Sequence, residues 1–106
     1  MEERVFELKA GILKVFAQPT RFKILECLTS GEKSIHEIVP NIRAEQSNVS
    51  RHIFLMQKVH LLTTRKEGVK VMVKVRDQRV FEILDSINLL LKKQTTETIK
   101  LIQELR

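Results

Sequence analysis

The chain has 106 residues, a length typical of one domain, and 42% of them are hydrophobic, which is enough for a single core. It holds one cysteine and no tryptophan or tyrosine. This composition excludes an intramolecular disulfide and argues against aromatic stacking platforms for single-stranded nucleic acid.

The net charge of +6 at pH 7 comes from one segment of the chain. Residues 46–76 contain seven basic residues and one acidic residue, Glu67, whereas the basic and acidic residues of the remainder balance. A continuous basic segment predicts a patch that attracts a polyanion, and the alternative is a solvated face that aids solubility. The basic residues are Arg51, Lys58, Arg65, Lys66, Lys70, Lys74 and Arg76.

Two helices are predicted before residue 31. Between Glu2 and Ala17 apolar residues recur at spacings of three or four, which indicates a helix with one apolar stripe. Pro19 interrupts this pattern and is expected in the first turn of a second helix, which Gly31 terminates. The apolar residues are Val5, Leu8, Ile12, Val15 and Phe16 in the first helix, and Phe22, Ile24, Leu25, Cys27 and Leu28 in the second.

A third and a fourth helix follow. Ser34 and Glu37 have the spacing of a capping box, which predicts the start of the third helix. Pro40 and Asn41 are expected to end it, because proline cannot continue the hydrogen-bond ladder. The fourth helix is predicted from about Glu45 to Val59. Its expected inner face is Val49, Ile53, Met56 and Val59.

The pattern then changes to alternation. The runs Leu61–Arg65 and Val69–Val75 predict a β-hairpin whose turn is Lys66-Glu67-Gly68, with one side facing the core. The valines expected on that side are Val69, Val71, Val73 and Val75.

Asp77 is expected to cap a last helix that continues into the C-terminal tail. Its apolar positions are Val80, Ile83, Leu84, Ile87, Leu90, Leu91, Ile99, Ile102 and Leu105. Sequence does not divide these residues between core and subunit interface. Since the core of such a small domain does not require so long a helix, we assign much of 83–91 to an interface.

Two short helices followed by a basic hairpin suit double-stranded DNA. The second helix of such a pair fits the major groove, and the hairpin follows the backbone or the minor groove. The expected base-reading residues on the outer face of the fourth helix are Gln46, Ser47, Asn48, Ser50, Arg51 and His52. The expected hairpin contacts are Arg65, Lys66 and Lys70.

Four segments, in order and at matching spacing, resemble the ArsR/SmtB family of winged-helix repressors. They are Pro19–Leu25 with Gly31-Glu32 (second helix), Ser34–Ile38 (third helix), Gln46–Ile53 (recognition helix) and Arg65–Gly68 (wing tip). The resemblance implies an α+β winged helix-turn-helix of order α-α-α-α-β-β-α over residues 1–106. It also implies a homodimer paired through its first and last helices, which represses an operon from a palindromic operator until a signal is sensed.

The sequence departs from the family pattern at several positions. The turn glycine is replaced by Arg43, and the glycine after the recognition helix by His60, although histidine tolerates positive φ better than most residues. Met72 and Val73 replace two aromatic residues of the second wing strand. We expect these changes to affect local stability more than fold.

No metal site or other cofactor is expected. Ser34 and His36 occupy the positions of the family's Cys-x-Cys ligands, and residues 77–106 contain no His or Cys for the second type of family site. The three histidines show no ligand spacing. Cys27 is expected in the core, and a redox role would require it to be exposed.

Several alternatives stay open in the sequence. Arg21 is expected either to contact a phosphate or to form a salt bridge.

The winged helix could have lost DNA binding and serve as a protein-interaction module, whereas no glycine-rich loop or nucleophile–base motif suggests an enzyme. Without a signal peptide or an apolar run long enough for a bilayer, a cytoplasmic protein with no membrane partner is expected. The inducing signal is not predicted.

Overall fold

Five α-helices and a three-stranded antiparallel sheet make up the computed structural model, which describes residues 2–105. A short 3₁₀ turn, Leu28–Ser30, extends the second helix. The helices are α1 (Glu3–Phe16), α2 (Pro19–Cys27), α3 (Ile35–Ile42), α4 (Gln46–Lys58) and α5 (Arg79–Glu104). The strands are β1 (Lys33–Ser34), β2 (Leu62–Glu67) and β3 (Lys70–Val75). The predicted order of helices and hairpin is confirmed.

The sheet has the order β1-β3-β2, and β1 was not predicted. Its two residues, Lys33 and Ser34, pair with Val73 and Met72. A strand of two residues has no measurable periodicity, so it cannot be found by alternation. The pairing attaches the β2–β3 hairpin, the wing, to the beginning of α3.

The core lies between α2, α3, α4 and the inner side of the sheet. Val49, Ile53 and Met56 are buried there, as predicted for the inner face of α4. The expectation for Val59 was wrong, since α4 ends at Lys58 and Val59 is 48% exposed. The other buried apolar residues are Phe16, Ile24, Leu25, Leu28, Ile38, Leu62, Val73, Val75, Val80 and Leu84.

The starts predicted for α2 and α3 are confirmed. Pro19 occupies the first turn of α2. At the start of α3, the Ser34 hydroxyl accepts the Glu37 N–H (3.2 Å) and the Glu37 carboxylate accepts the Ser34 N–H (3.0 Å). These bonds satisfy two N–H groups that would otherwise lack partners at the helix start.

The prediction that Pro40 ends the third helix was wrong. Pro40 lies inside α3, which continues to Ile42. Pro40 and His36, whose carbonyl is four residues earlier, are both exposed, so water can replace the one hydrogen bond that proline cannot form. The helix ends at Arg43, where the backbone turns left-handed (φ 54°).

The hairpin differs from its prediction by one residue. Glu67 pairs with Lys70, so the turn is Gly68-Val69 and not Lys66-Glu67-Gly68. Gly68 has φ of 62°, as the first central residue of a tight hairpin turn requires. Val69 therefore projects from the tip and is 96% exposed, whereas Val73 and Val75 are buried and Val71 is half-buried.

Helix α5 runs for 26 residues and leaves most of its apolar side chains exposed. The Asp77 carboxylate accepts the Arg79 N–H (2.9 Å), which confirms it as the cap although the helix boundary falls at Gln78. Only Val80 and Leu84 of α5, and Phe16 of α1, are buried. Over residues 2–105, no helix combines the length and hydropathy needed to cross a membrane.

Candidate nucleic-acid interface

Helices α3 and α4 are joined by a three-residue turn, 43–45, that sets the angle at which α4 is presented. The Ala44 N–H donates to the Val39 carbonyl (3.2 Å) and the Arg43 N–H to the Pro40 carbonyl (3.3 Å). This paired pattern closes a helix whose next residue is left-handed. The turn is thus made at Arg43 without glycine, as the sequence requires.

The end of α4 is built in the same way. The Leu61 N–H donates to the Met56 carbonyl and the His60 N–H to the Gln57 carbonyl, both at 3.0 Å. His60 has φ of 64°, the positive φ that histidine tolerates better than most residues. Both helices of the pair therefore end on left-handed residues that bear side chains.

The outer face of α4 carries five of the six residues predicted to read bases. Gln46, Ser47 and Arg51 are exposed, and Asn48 and Ser50 are half-buried. They lie in the first half of the helix, the end that approaches base edges in a helix-turn-helix.

His52 does not lie on this face, and its predicted exposure was wrong. It is only 3% exposed. The reason is helical phase, because residues three or four positions apart share a face, and His52 is three after Val49 and four before Met56. Residue type suggested a base contact, whereas the periodicity of α4 already placed His52 with the core.

Arg51 is the cation at the centre of the exposed face. Its Nη2 donates to Oδ1 of Asn48 (2.7 Å) and lies 3.4 Å from Nε2 of His52. Together with Glu45 and Ser47, Asn48 and Arg51 line a shallow open depression on this face. Both contacts of the guanidinium are made by Nη2, which leaves the N–H groups on Nε and Nη1 for acceptors on a base.

Burial and two neighbouring cations lower the pKa of His52 below its usual 6.5. Burial is the largest cause, and the positive charges of Arg51 and Arg21 add to it. Within residues 2–105, Nδ1 of His52 has no hydrogen-bond partner. The ring is therefore neutral at pH 7 and carries one unsatisfied nitrogen.

Arg65 in the wing is already paired with carboxylates. Its Nη2 lies 2.6 Å from Oε1 of Glu32, and its Nη1 lies 2.7 Å from Oε2 of Glu67. The hydrogen bonds from Arg65 hold the pKa of the Glu32 carboxyl below its usual range. These carboxylates use three of the five N–H groups of Arg65 and partly neutralise its charge, whereas Lys66 and Lys70 are exposed.

Arg21 forms no salt bridge within residues 2–105, and its contact with a phosphate stays a prediction. Its Nε donates to the Val15 carbonyl (3.0 Å) and its Nη2 to the Lys14 carbonyl (3.3 Å). These are carbonyls of the last turn of α1, which lack partners within the helix. Arg21 therefore attaches the end of α1 to α2.

Sequence reasoning named Glu32 and Arg76 but missed the contacts that they make. Glu32 pairs with Arg65, 33 positions away, and no local pattern reports a contact of that separation. Arg76 follows β3, and its Nη1 lies 3.3 Å from Nδ1 of His60, next to the end of α4. Both contacts connect the wing to the rest of the domain.

Cys27 is half-buried and packs against the core. Burial raises the pKa of its thiol, which disfavours the reactive thiolate. Over the part of the chain that the structure describes, no three His, Cys, Asp or Glu side chains are grouped to hold a metal ion.

A helix pair with an exposed polar recognition helix, followed by a basic wing on a three-stranded sheet, defines a winged helix-turn-helix DNA-binding protein. Comparison with known proteins identifies the family within this class. The family model described as bacterial regulatory protein, arsR family, matches residues 18–61. An arsenical resistance operon repressor of Staphylococcus xylosus is 35% identical over 77 residues, which cover 73% of this chain and 70% of that protein.

A second relative is an HTH-type transcriptional regulator of Methanocaldococcus jannaschii, 31% identical over 84 residues, or 78% of this chain and 94% of the relative. The chain therefore belongs to the arsR family and is a DNA-binding transcriptional regulator, not an enzyme. This confirms the resemblance seen in the sequence.

Solved structures show the same fold. The crystal structure of Rv0081 from Mycobacterium tuberculosis has a TM-score of 0.83 at 23% identity, covering 92% of this chain and 99% of that one. NolR from Sinorhizobium fredii has a TM-score of 0.75 at 22% identity, covering 85% and 93%.

Proposed function

We propose that this regulator is a homodimeric repressor in which residues 1–106 form one DNA-binding domain, with α1 and α5 as dimerisation helices. In this proposal it acts in the cytoplasm on a palindromic operator. The observation that carries the proposal is the exposed polar first half of α4, with Arg51 at its centre and a basic wing beside it. The related Staphylococcus xylosus protein is named as an operon repressor.

In the proposed complex α4 enters the major groove. Gln46, Ser47 and Arg51 reach base edges, and the half-buried Asn48 and Ser50 act closer to the helix. Lys66 and Lys70 of the wing contact phosphates. Arg65 contacts a phosphate through the N–H groups that Glu32 and Glu67 do not use, and its attraction is weaker because these carboxylates partly neutralise its charge.

The dimer is proposed from the apolar surface that one chain leaves uncovered. On α1, Leu13 is 66% exposed, and on α5, Ile87 is 38% and Leu90 is 58% exposed. Exposed apolar faces of this extent usually mark a protein interface. A winged helix-turn-helix domain of Mycobacterium bovis with a TM-score of 0.79, 17% identity and coverage of 92% and 93% is described as homodimeric. Two bound recognition helices would lie about 34–36 Å apart, or a multiple of that distance.

The decisive experiment is a titration of the purified protein against the promoter of its own gene, with random duplex as competitor, at two salt concentrations. We expect selective binding that weakens with salt, because phosphate contacts release counterions. Arg51→Glu should abolish selective binding and leave the dimer intact in sedimentation equilibrium. Lys100→Glu, an equal charge reversal on α5 away from the site, should bind like the natural protein. Binding that ignores salt, or that survives Arg51→Glu, would contradict the proposal.

One observation favours the second candidate, a protein-interaction module. The later half of α4 is apolar at the surface, where Phe54 is 60% exposed with Lys58 5.7 Å from its ring centre, and Leu55 is 38% exposed. Failure to bind any duplex at low salt, in the same titration, would favour this candidate.

A further inference from the structure

The side chain of Arg51 is held from two sides before any DNA is present. Its Nη2 donates to Oδ1 of Asn48 at 2.7 Å and lies 3.4 Å from Nε2 of His52. A guanidinium has donors and no acceptor, so the second contact is a hydrogen bond only when Nε2 carries a lone pair. In a neutral ring this assigns the proton to Nδ1.

That assignment costs stability elsewhere. Nδ1 is buried and has no partner among residues 2–105. A buried donor without a partner loses its hydration and gains nothing in return. His52 shares its face with Val49, Ile53 and Met56, so an apolar residue would satisfy the site better. Packing therefore does not explain a histidine at this position.

We propose that His52 is a positioning residue that, with Asn48, fixes the Arg51 guanidinium for base reading. The proposal rests on the proposed function, because only a base-reading arginine gains from a fixed plane. A side chain already held in its bound geometry loses less conformational freedom on binding. A fixed plane also restricts which acceptors on a base the remaining N–H groups of Arg51, on Nε and Nη1, can reach.

The surroundings keep His52 in the required state. Charged groups face the ring from two helices, Arg51 on its own helix and Arg21 on α2. Both are cations, so both oppose a positive charge on the ring. Burial acts in the same direction, so the ring is neutral at pH 7, and the tautomer that the Arg51 contact requires keeps its lone pair on Nε2.

Two variants of His52 separate positioning from packing. His52→Leu keeps an apolar side chain in the core and removes the acceptor. His52→Gln keeps an acceptor oxygen on a chain of similar reach. Each is compared with the natural protein and with Arg51→Ala, on duplexes that the natural protein selects from a randomised pool and on unselected random duplex. The measured quantity is the ratio of the two affinities.

We expect His52→Leu to lower this ratio about tenfold, which lies within the roughly five- to 150-fold discrimination that a good side-chain contact with a base provides. Its affinity for random duplex should not change, and its midpoint of urea unfolding should stay equal or rise. His52→Gln should recover most of the ratio. A residue that acts only through packing would lower the unfolding midpoint instead.

A pH series on the natural protein provides a second readout that does not depend on the folding of a variant. Protonation of His52 removes the lone pair of Nε2. The affinity ratio should therefore have its full value near pH 7 and should fall only when the pH is below 6.5, the ordinary pKa of histidine, whereas the His52→Gln ratio should not follow this curve.

Failure of the positioning role of His52 and failure of the DNA-binding function give different outcomes. If Arg51→Ala loses selectivity while His52→Leu keeps it, the positioning role is wrong and the DNA function stands. The positioning role is equally wrong if the natural protein and His52→Gln have the same pH dependence. If the natural protein selects no sequence from the pool, both the function and the positioning role fall.

Discussion

Arg43 and His60 hold left-handed backbone positions, with φ of 54° and 64°, at the ends of the two helices that form the DNA-reading unit. A side chain with Cβ makes this conformation unfavourable, and glycine does not incur that strain. The paired hydrogen bonds at each helix end show that the local structure forms despite it. The strain is therefore a stability cost that substitution can remove.

We expect Arg43→Gly and His60→Gly each to raise the free energy of unfolding by up to about 1 kcal/mol, as relief of left-handed strain exceeds the added entropy of an unfolded glycine. Urea unfolding at one fixed protein concentration measures this. Lys23→Gly, on the exposed face of α2, is the control and should lower stability by about 1 kcal/mol. A loss in all three variants would contradict the strain argument.

At the scale of a single residue, pattern and structure disagree most clearly at His52, and Arg21 has contacts that the pattern did not predict. Both were assigned from chemical type, as a base reader and as a phosphate or salt-bridge residue. His52 is buried because its position in α4 places it on the same face as the core residues. Arg21 donates hydrogen bonds to backbone carbonyls at the end of α1. The type of a polar side chain indicates which partners it can bind. Its surroundings in the folded chain determine which of them it does bind.

At the scale of an element, the start of α5 depends on one carboxylate. Asp77 accepts the Arg79 N–H, and its Oδ2 lies 2.6 Å from Nη2 of the same arginine. The side-chain hydrogen bond from Arg79 is the main cause that lowers the pKa of Asp77 from 3.8 to about 2. The native state therefore holds this proton more weakly than the unfolded chain.

The sign of the pH dependence follows from that difference. The stabilisation by Asp77 is fully present above about pH 4 and is lost as the pH falls towards 2. We expect Asp77→Asn to show a smaller loss of thermal stability over that interval than the natural protein. Asp85→Asn, on an exposed aspartate farther along α5, is the matched control. Equal acid sensitivity of Asp77→Asn and the natural protein would rule out this role for Asp77.

The wing is the second element whose role can be measured separately. Lys66 and Lys70 are exposed near its tip, while Arg65 is paired with Glu32. We expect Lys66→Ala with Lys70→Ala to weaken binding to all duplexes alike. The slope of log K against log salt should fall by about 0.9 for each phosphate that the wing no longer neutralises. Lys92→Ala with Lys93→Ala on α5 should leave the slope unchanged, and a change in sequence preference with an unchanged slope would refute a phosphate role.

At the scale of the whole molecule, one chain is more extended than its length requires. The radius of gyration is 16.9 Å and the extents are 61 × 41 × 22 Å. A compact domain of this length has a radius of gyration of about 13 Å. The 26-residue α5 accounts for much of the difference. A long helix that buries only Val80 and Leu84 in its own chain is stable in water when a second surface covers the rest.

We expect Ile87→Glu to shift the protein from dimer to monomer and to abolish selective DNA binding, because a charge would then lie in an apolar interface. Sedimentation equilibrium measures the mass, and the operator titration measures the binding. Lys92→Glu lies about 140° around the helix from Ile87 and should stay dimeric. An Ile87→Glu dimer of unchanged affinity would remove α5 from the interface.

Local sequence determined much of this protein. The Ser34–Glu37 cap, the helix start at Pro19, the alternation of Val73 and Val75 with Lys74, and the apolar stripe of α4 are patterns within a few residues. Such patterns depend on backbone periodicity and hydrogen bonds that the neighbouring residues decide themselves. The family pattern rests on the same short segments, which is why the class of protein was recognisable.

Only the tertiary structure decided the contacts between distant segments. The pair of Glu32 with Arg65, the β1–β3 pairing and the attachment of Arg21 to α1 join residues that local pattern treats separately. It also decided that α3 continues through Pro40, since the exposure of that side of the helix makes the lost hydrogen bond tolerable. The physical reason is the same in each case. A charge, a strand edge or an unpaired carbonyl pairs with the partner that folding places next to it, and the number of residues between two positions does not determine their distance in space.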